Sequence, residues 1–265
     1  MKFPLRLSVD LLRGKLLQGF SAANALSMIH HLSPSLFSAC NQEEIDAESD
    51  PNAALMEIPA SMVAQTSAPI LWIGGQEPLQ HPVIGRVAAA LNSAGRNVFL
   101  HTDGLQLRRR IHEFRPDPRL FLTVEFAGCG KLHDHATDQS GAFRRRIEGI
   151  RAAKLSGFHI CTHVTVNEQT QVCETGELFE SLDQHDVDGY IVSSAGAADV
   201  TSDSPMKEKL EEIRALVRCA RWESFSKLLE ASYVSVSRRA DLASVPVTVP
   251  ATIPSHDAEA VEESV

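Results

Sequence analysis

The sequence has few cysteines, and they follow no pairing pattern. Its 265 residues include five, Cys40, Cys129, Cys161, Cys173 and Cys219, with no CxxC spacing. An odd, scattered set of thiols argues against a disulfide framework and fits a reducing compartment. We therefore expect a cytoplasmic protein without structural disulfides.

Long apolar runs are also absent. No segment approaches the roughly 20 apolar residues that span a bilayer, so no transmembrane segment is expected. Arginine or lysine at positions 6, 13 and 15 interrupts the N-terminal stretch, which argues against a signal peptide. Leu5, Val9, Leu12 and Leu16 recur at helical spacing. We predict an amphipathic helix over 5–20 that packs on the main body, on a membrane surface or on a partner.

An excess of positive charge is missing as well. The chain has 34 acidic and 25 basic residues and a formal net charge of −9. Nucleic acid and anionic membranes both require a cationic face, so neither is expected as the main partner. The arginine runs at 108–110 and 144–146 are interpreted as solvated helix faces. The GxxxxGK[ST], GxSxG and HExxH motifs are absent too, which removes the usual signatures of a P-loop, a serine hydrolase and a zinc protease.

The most informative stretch is PILWIGGQEPLQHP, residues 69–82. A short apolar run up to Ile73 is typical of a strand buried on both faces. Gly74 and Gly75 then allow a sharp turn and the close approach of a ligand. A helix begins near Pro82, where proline is favoured in the first turn. Strand, glycine corner and helix can form either a ligand loop or a plain βα turn.

Further predicted strands and helices alternate along the chain at similar intervals. This alternation predicts an α/β protein with parallel strands and outer helices, curved into a partial (β/α) barrel. We divide the chain into three parts. Residues 1–57 are an N-terminal helix and a shortened loop region, and residues 58–236 are the partial barrel. Residues 237–265 are a disordered acidic tail. The segment from Met28 to Leu36 contains two histidines and a proline and is a poor strand candidate.

Several predicted strands end in polar or glycine-containing corners. These corners are GGQE at 74–77, HTDG at 101–104, EFAG at 125–128 and SSAG at 193–196. The carboxyl ends of parallel barrel strands meet on one face, so the corners are expected to form a binding site for a small molecule or nucleotide-like ligand. The candidate binding residues are Gly74, Gly75, Gln76, Glu77, Thr102, Asp103, Glu125, Ser193 and Ser194.

The order of these motifs resembles that of radical SAM enzymes, most closely the hopanoid-biosynthesis branch that adds an adenosyl group to hopene. The resemblance covers roughly residues 58–196 and includes PILWIGGQEPLQHP, FLTVEFAG, LHDHATDQSGAF and DVDGYIVSSAG. The opening FPLRLSVDLLRGKL is similar to the N-terminal helix of that family. The resemblance implies a partial barrel that binds S-adenosylmethionine (SAM).

The cluster motif of that family is incomplete here. Three thiolates in a CxxxCxxC loop would hold a four-iron cluster. Cys40 matches the first of them, but the next two positions hold Glu44 and Ala47. Cys40 is therefore interpreted as a vestigial cluster position, and a four-iron cluster is not expected.

Other family positions have also changed. Gln76 stands at the second glycine of the GGE corner, and Asp103 at the asparagine of the CTN corner. His101 replaces the cysteine of that corner, and Glu125 the histidine of an HLDG motif. SAM remains a candidate ligand, but reductive cleavage to an adenosyl radical is not expected.

The leading hypothesis is a degenerate radical SAM-like protein that acts as a non-catalytic binding or partner subunit beside an intact relative. One alternative is an active adenosyl-transferring enzyme whose cluster is completed in an unusual way, for instance by a partner's cysteines. Another is a metal-dependent hydrolase or lyase, because His101, Glu125 and His163 fall at or near predicted strand ends. Imidazole and carboxylate groups that meet at a barrel mouth can bind a divalent metal and activate water.

Overall fold

The computed structural model describes residues 3–18, 28–38, 68–194 and 205–243. Cys40, the predicted loop at 41–51 and the predicted helix at 59–65 lie outside the described residues, as does the chain beyond residue 243.

In the described chain a single sheet has six strands, all parallel, in the order β1 to β6. The strands are β1 (Ile29–Leu32), β2 (Ile70–Ile73), β3 (Asn97–Thr102), β4 (Leu120–Phe126), β5 (His159–Val166) and β6 (Gly189–Ser194). The sheet curls into a half-barrel, which confirms the predicted fold class. All four residues of β2 are buried, as expected for a strand covered on both faces.

Nine helices are described, and most of them connect one strand to the next. They are α1 (Leu5–Gln18), α2 (Ser35–Ser38), α3 (Ile84–Ser93), α4 (Leu107–Arg110), α5 (Gly130–Ala136), α6 (Ala142–Leu155), α7 (Val172–Asp183), α8 (Pro205–Ala215) and α9 (Ala220–Ala243). Short 3₁₀ turns cover Pro78–Gln80 and Ile111–Glu113. Gly95 has a φ of +82° just after α3, which is the left-handed conformation that ends a helix. None of the described helices is long and apolar enough to cross a membrane.

The prediction for the segment near residue 30 was wrong, because Ile29–Leu32 forms strand β1 and pairs with β2 in register. Ile29 and Leu32 are buried. His31 Nε2 shares a 2.8 Å hydrogen bond with Ser232 Oγ on α9. Tertiary contacts therefore place two histidines in a strand that local sequence does not favour. The predicted boundary at residue 58 also separates β1 from the sheet to which it belongs.

Helix α9 crosses the concave face of the half-barrel. Trp222 packs on Gly189 of β6, and its indole Nε1 donates to the Asp188 carbonyl at 3.0 Å. Ser226 Oγ accepts a hydrogen bond from the Val192 amide at 3.0 Å, which satisfies a backbone group on the open edge of β6. The helix continues to Ala243, so residues 237–243 of the predicted tail are helical.

Candidate functional site

A cavity of about 570 Å³ opens at the carboxyl ends of the strands, where a parallel barrel places its binding loops. Its lining residues come from the corners after β2 and β3, the ends of β4 to β6, and α9. They are Gly75, Gln76, Glu77, His101, Thr102, Asp103, Glu125, His163, Thr165, Ser193, Ser194, Glu230 and Tyr233. The volume is within the usual range of small-molecule sites.

The structure brings the predicted binding residues together. All nine except Gly74 line the cavity, and Gly74 immediately precedes the lining residue Gly75. A Cβ at Gly74 would lie 3.2 Å from the Cβ of His101, so this position has little room for a side chain. Gly75 has a φ of +93°, which favours glycine. Their predicted role in binding SAM remains a prediction.

Glu77 ties two of the corners together. Its Oε1 accepts hydrogen bonds from the Leu79 amide at 2.9 Å and from Thr102 Oγ1 at 2.7 Å. Its Oε2 accepts from the Asp103 amide at 2.7 Å. Burial raises the pKa of Glu77, and the hydrogen bonds from Thr102 and the Asp103 amide oppose that rise. The carboxylate therefore holds the shape of the cavity rim rather than remaining open to a ligand.

Two histidines and a serine form a hydrogen-bonded chain along the cavity wall. His163 Nδ1 lies 2.9 Å from His101 Nε2, and His163 Nε2 lies 2.8 Å from Ser193 Oγ. Burial lowers the pKa of His163 well below its usual value, and the neighbouring His101 lowers it further. Burial also lowers the pKa of His101. The indole of Trp72 stacks on His101 with ring centroids 5.2 Å apart. The hydrogen-bonded side chains of His101, His163 and Ser193 are thus uncharged at neutral pH.

The charged groups on the cavity wall are acidic. Glu125, at the end of β4, accepts a hydrogen bond from Thr165 Oγ1 at 3.4 Å. It is the register partner of His163 on the adjacent strand β5. Glu77, Asp103 and Glu230 complete the acidic set, and the lining residues include no lysine or arginine. Such a wall favours a ligand that carries positive charge.

Sequence reasoning missed the two cavity residues on α9. Glu230 Oε1 accepts from the Ser194 amide at 3.2 Å, and its other oxygen is paired with Arg214. Tyr233 is held next to Trp72, and burial, followed by the negative charge of Glu125, raises its pKa, so its hydroxyl stays protonated. The amphipathic spacing of α9 could have indicated a helix, but not that it crosses the cavity.

The alternative metal site does not form. In the part of the chain that the structure describes, no group of three His, Cys, Asp or Glu side chains is arranged to hold a metal ion. The physical reason lies at His163, because both of its ring nitrogens are engaged, one with His101 and one with Ser193. Glu125 lies opposite on β4, but it does not complete a three-ligand set with the two histidines.

The described cysteines do not replace the missing cluster ligands. None of Cys129, Cys161, Cys173 and Cys219 lines the cavity. Cys161 is fully buried in β5, and burial raises its thiol pKa well above the usual value. A four-iron cluster needs thiolates grouped at one opening, and the four described cysteines form no such group at the cavity.

Comparisons with known proteins point to the same fold. No family model matches the chain. The chain is similar to the AdoMet-dependent heme synthase of Methanosarcina barkeri, with 32% identity over 124 residues. That stretch covers 45% of this chain and 36% of the synthase, so the chain matches about a third of that relative's length.

One solved structure shows a similar fold. The structure of TYW1 with a lysine-pyruvate adduct bound has a TM-score of 0.50 and 12% identity, and the match covers 78% of this chain and 80% of TYW1. Streptococcus suis SuiB bound to S-adenosylmethionine has a TM-score of 0.47 and 13% identity, covering 80% of this chain and 45% of SuiB. The likeness to TYW1 bears on the fold alone. Together with the match to the heme synthase, it supports the resemblance to the radical SAM superfamily.

Proposed function

We propose that this protein is a radical SAM-like subunit that binds SAM, or a related nucleoside ligand, without cleaving it to a radical. The observation that carries the proposal is a formed cavity at the barrel mouth whose described lining contains no cysteine. In the printed sequence Cys40 is the one residue that matches the family's three cluster ligands. One thiolate cannot hold a four-iron cluster, and without the cluster there is no electron source for reductive cleavage.

The acidic wall of the cavity supports SAM as the ligand. SAM has a net positive charge, because its sulfonium and ammonium groups outweigh its carboxylate, and four carboxylates, those of Glu77, Asp103, Glu125 and Glu230, line the cavity without a lysine or arginine among the lining residues. Glu125 is the best placed to attract the sulfonium, since it lines the cavity and its hydrogen bond from Thr165 is long, at 3.4 Å. The curated relative is named an AdoMet-dependent enzyme, which also favours this ligand.

The binding residues follow from the corners of the barrel. The backbone of Gly75 and Gln76 would face the ligand's amino group, and the hydroxyls of Ser193 and Ser194 would contact its polar edge. Asp103 would accept hydrogen bonds from ribose hydroxyls. The neutral His101–His163–Ser193 chain adds no positive charge that would repel a sulfonium.

An intact relative with the complete cysteine motif is the partner we propose for the chemistry itself, in hopanoid or other lipid-linked metabolism. The resemblance to the hopene-modifying branch motivates this assignment. A neighbouring gene that encodes such a relative would support it.

Calorimetric titration with SAM tests the binding proposal directly. We expect saturable binding of one SAM per chain, together with weaker binding of adenosine, which lacks the sulfonium. No heat of binding with SAM up to millimolar concentration would remove the proposal. Tighter binding of adenosine than of SAM would remove the role assigned to the acidic wall.

A further inference from the structure

Helix α1 has two apolar faces, and only one of them packs on the part of the protein that the structure describes. Leu7 is completely buried, and Leu11 packs against the core. On the other side Leu5, Val9 and Leu12 are 76%, 37% and 59% exposed. Their spacing of four and three residues aligns them along one side of the helix. We call these three residues the α1 stripe.

Single exposed aliphatic side chains are ordinary on a protein surface, but a row of them is not. Six large hydrophobic side chains of the described residues are exposed, and three of the six form the α1 stripe. An apolar groove of about 280 Å³ between α1 and α9 lies beside the stripe and shares Leu12 with it. Phe3, Phe225 and Leu228 contribute to the groove. The stripe is therefore the ridge of a larger apolar surface.

The polar groups around this surface are mainly basic. Arg6 and Arg13 are exposed on the same helix. The single acidic residue of α1, Asp10, faces the protein, where it accepts from Asn97 Nδ2 at 2.9 Å and pairs with Arg119 at 3.0 Å. Arg221, at the edge of the groove, donates to Ser8 Oγ at 3.1 Å. The outward side of α1 is thus cationic and apolar in a chain whose net charge is −9.

We propose that α1 docks the protein on an anionic lipid surface. A helix that lies in a membrane interface places an aliphatic face at the acyl boundary and basic side chains among the headgroups. The α1 stripe supplies the first, and Arg6 and Arg13 supply the second, with stems long enough to reach the phosphates. The charge pattern favours a bilayer over a second copy of this chain. The surface of a second copy is acidic overall, but a symmetric contact through α1 would bring the arginines of the two copies together.

Vesicle flotation with the full chain tests this proposal. Vesicles of equal parts phosphatidylglycerol and phosphatidylcholine should bind the protein, and pure phosphatidylcholine vesicles should bind it several-fold less. Raising the salt concentration should weaken binding to the anionic vesicles, since basic side chains contribute to it. Failure of the wild-type protein to float with anionic vesicles would overturn the proposal.

Two matched pairs of variants locate the binding surface. Leu12→Asp should weaken binding roughly tenfold, because a carboxylate cannot enter the acyl boundary. Leu155→Asp is its control, since Leu155 is 90% exposed at the end of α6, away from the stripe. The double variant Arg6→Glu with Arg13→Glu should also weaken binding, whereas Arg109→Glu with Arg145→Glu should not, although it changes the net charge equally. Arg109 and Arg145 are likewise exposed.

Other outcomes would contradict the assignment. Equal losses in Leu12→Asp and Leu155→Asp would show that the α1 stripe is not the contact surface. A dimer in sedimentation that Leu12→Asp converts into a monomer would assign the stripe to a second copy instead. Urea unfolding of each variant confirms that the chain is folded. The SAM titration is independent of all these measurements, so the docking proposal and the binding proposal can fail separately.

Discussion

Glu77 Oε1 lies 2.7 Å from Thr102 Oγ1, which ties the corner after β2 to the end of β3. The other oxygen of the same carboxylate accepts from the Asp103 amide. One half-buried side chain therefore fixes the relative positions of two loops that line the cavity. The protein's own hydrogen bonds hold these loops in place, which lowers the entropic cost of ordering them around a ligand.

We expect Glu77→Gln to destabilise the protein by about 1–3 kcal/mol, because the amide would turn an NH₂ group towards a backbone donor and leave it without an acceptor. Urea unfolding measures the change. Glu212→Gln, at an exposed position of α8, is the matched control and should leave the free energy of unfolding nearly unchanged. Equal effects in the two variants would show that Glu77 does not hold the corners together.

Glu125→Gln should weaken SAM binding about tenfold, because it removes the cavity charge that we assign to the sulfonium. The variant keeps the shape of the side chain, so the free energy of unfolding should change little. Calorimetric titration with SAM gives the affinity. Glu208→Gln, at an exposed position of α8, is the control. An unchanged affinity in Glu125→Gln would assign sulfonium recognition to another residue.

The free energy of unfolding should increase as the pH rises from about 4 to about 6.5. Burial lowers the pKa of His163 well below its usual value, and lowers that of His31 to about 4. The unfolded chain binds protons at these positions over a pH range in which the folded chain does not, so acid favours unfolding. His163→Gln should make this pH dependence smaller by on the order of 1 kcal/mol.

Urea unfolding at a series of pH values measures that slope. His112→Gln, on the exposed 3₁₀ turn after α4, should keep the wild-type slope. If His163→Gln also kept it, the buried chain of histidines would not be the source of the acid sensitivity.

Gly189→Ala should destabilise the protein by about 1–3 kcal/mol through overpacking, since a Cβ there would lie 2.3 Å from the indole of Trp222. Gly176→Ala is the opposite case, because its Cβ would meet no atom closer than 3.9 Å inside helix α7. It should stabilise by about 0.5–1 kcal/mol. Thermal unfolding of both variants checks these signs. A neutral Gly189→Ala would show that α9 does not pack closely on β6.

The corners of the barrel were predictable from sequence because they depend on local signals. Gly75 and Glu77 follow a four-residue apolar run, and Asp103 follows another strand, so their meeting at one edge of the sheet follows from parallel topology. The role of Glu77 as a clamp was not predictable, since the sequence does not reveal which of its neighbours donate to it.

The rest depended on contacts between distant parts of the chain. Strand β1 has two histidines in four residues, and its pairing with β2 across a long separation stabilises it. Glu230 and Tyr233 reach the cavity because α9 folds back over the concave face, which a helical pattern does not reveal. The sequence left the packing of α1 open between the main body, a membrane and a partner. Among the described residues, one face of α1 packs on the protein, and Leu5, Val9 and Leu12 on the other face are exposed.

Anaerobic reconstitution of the purified chain with iron and sulfide, followed by reduction in the presence of SAM, tests the central claim most directly. Cys40 is the one sequence match to the family's cluster ligands, so we predict no four-iron absorption band and no release of 5′-deoxyadenosine, while SAM still binds. A four-iron spectrum with SAM cleavage, both lost in Cys40→Ala, would contradict the proposal and show that the protein is an active radical enzyme.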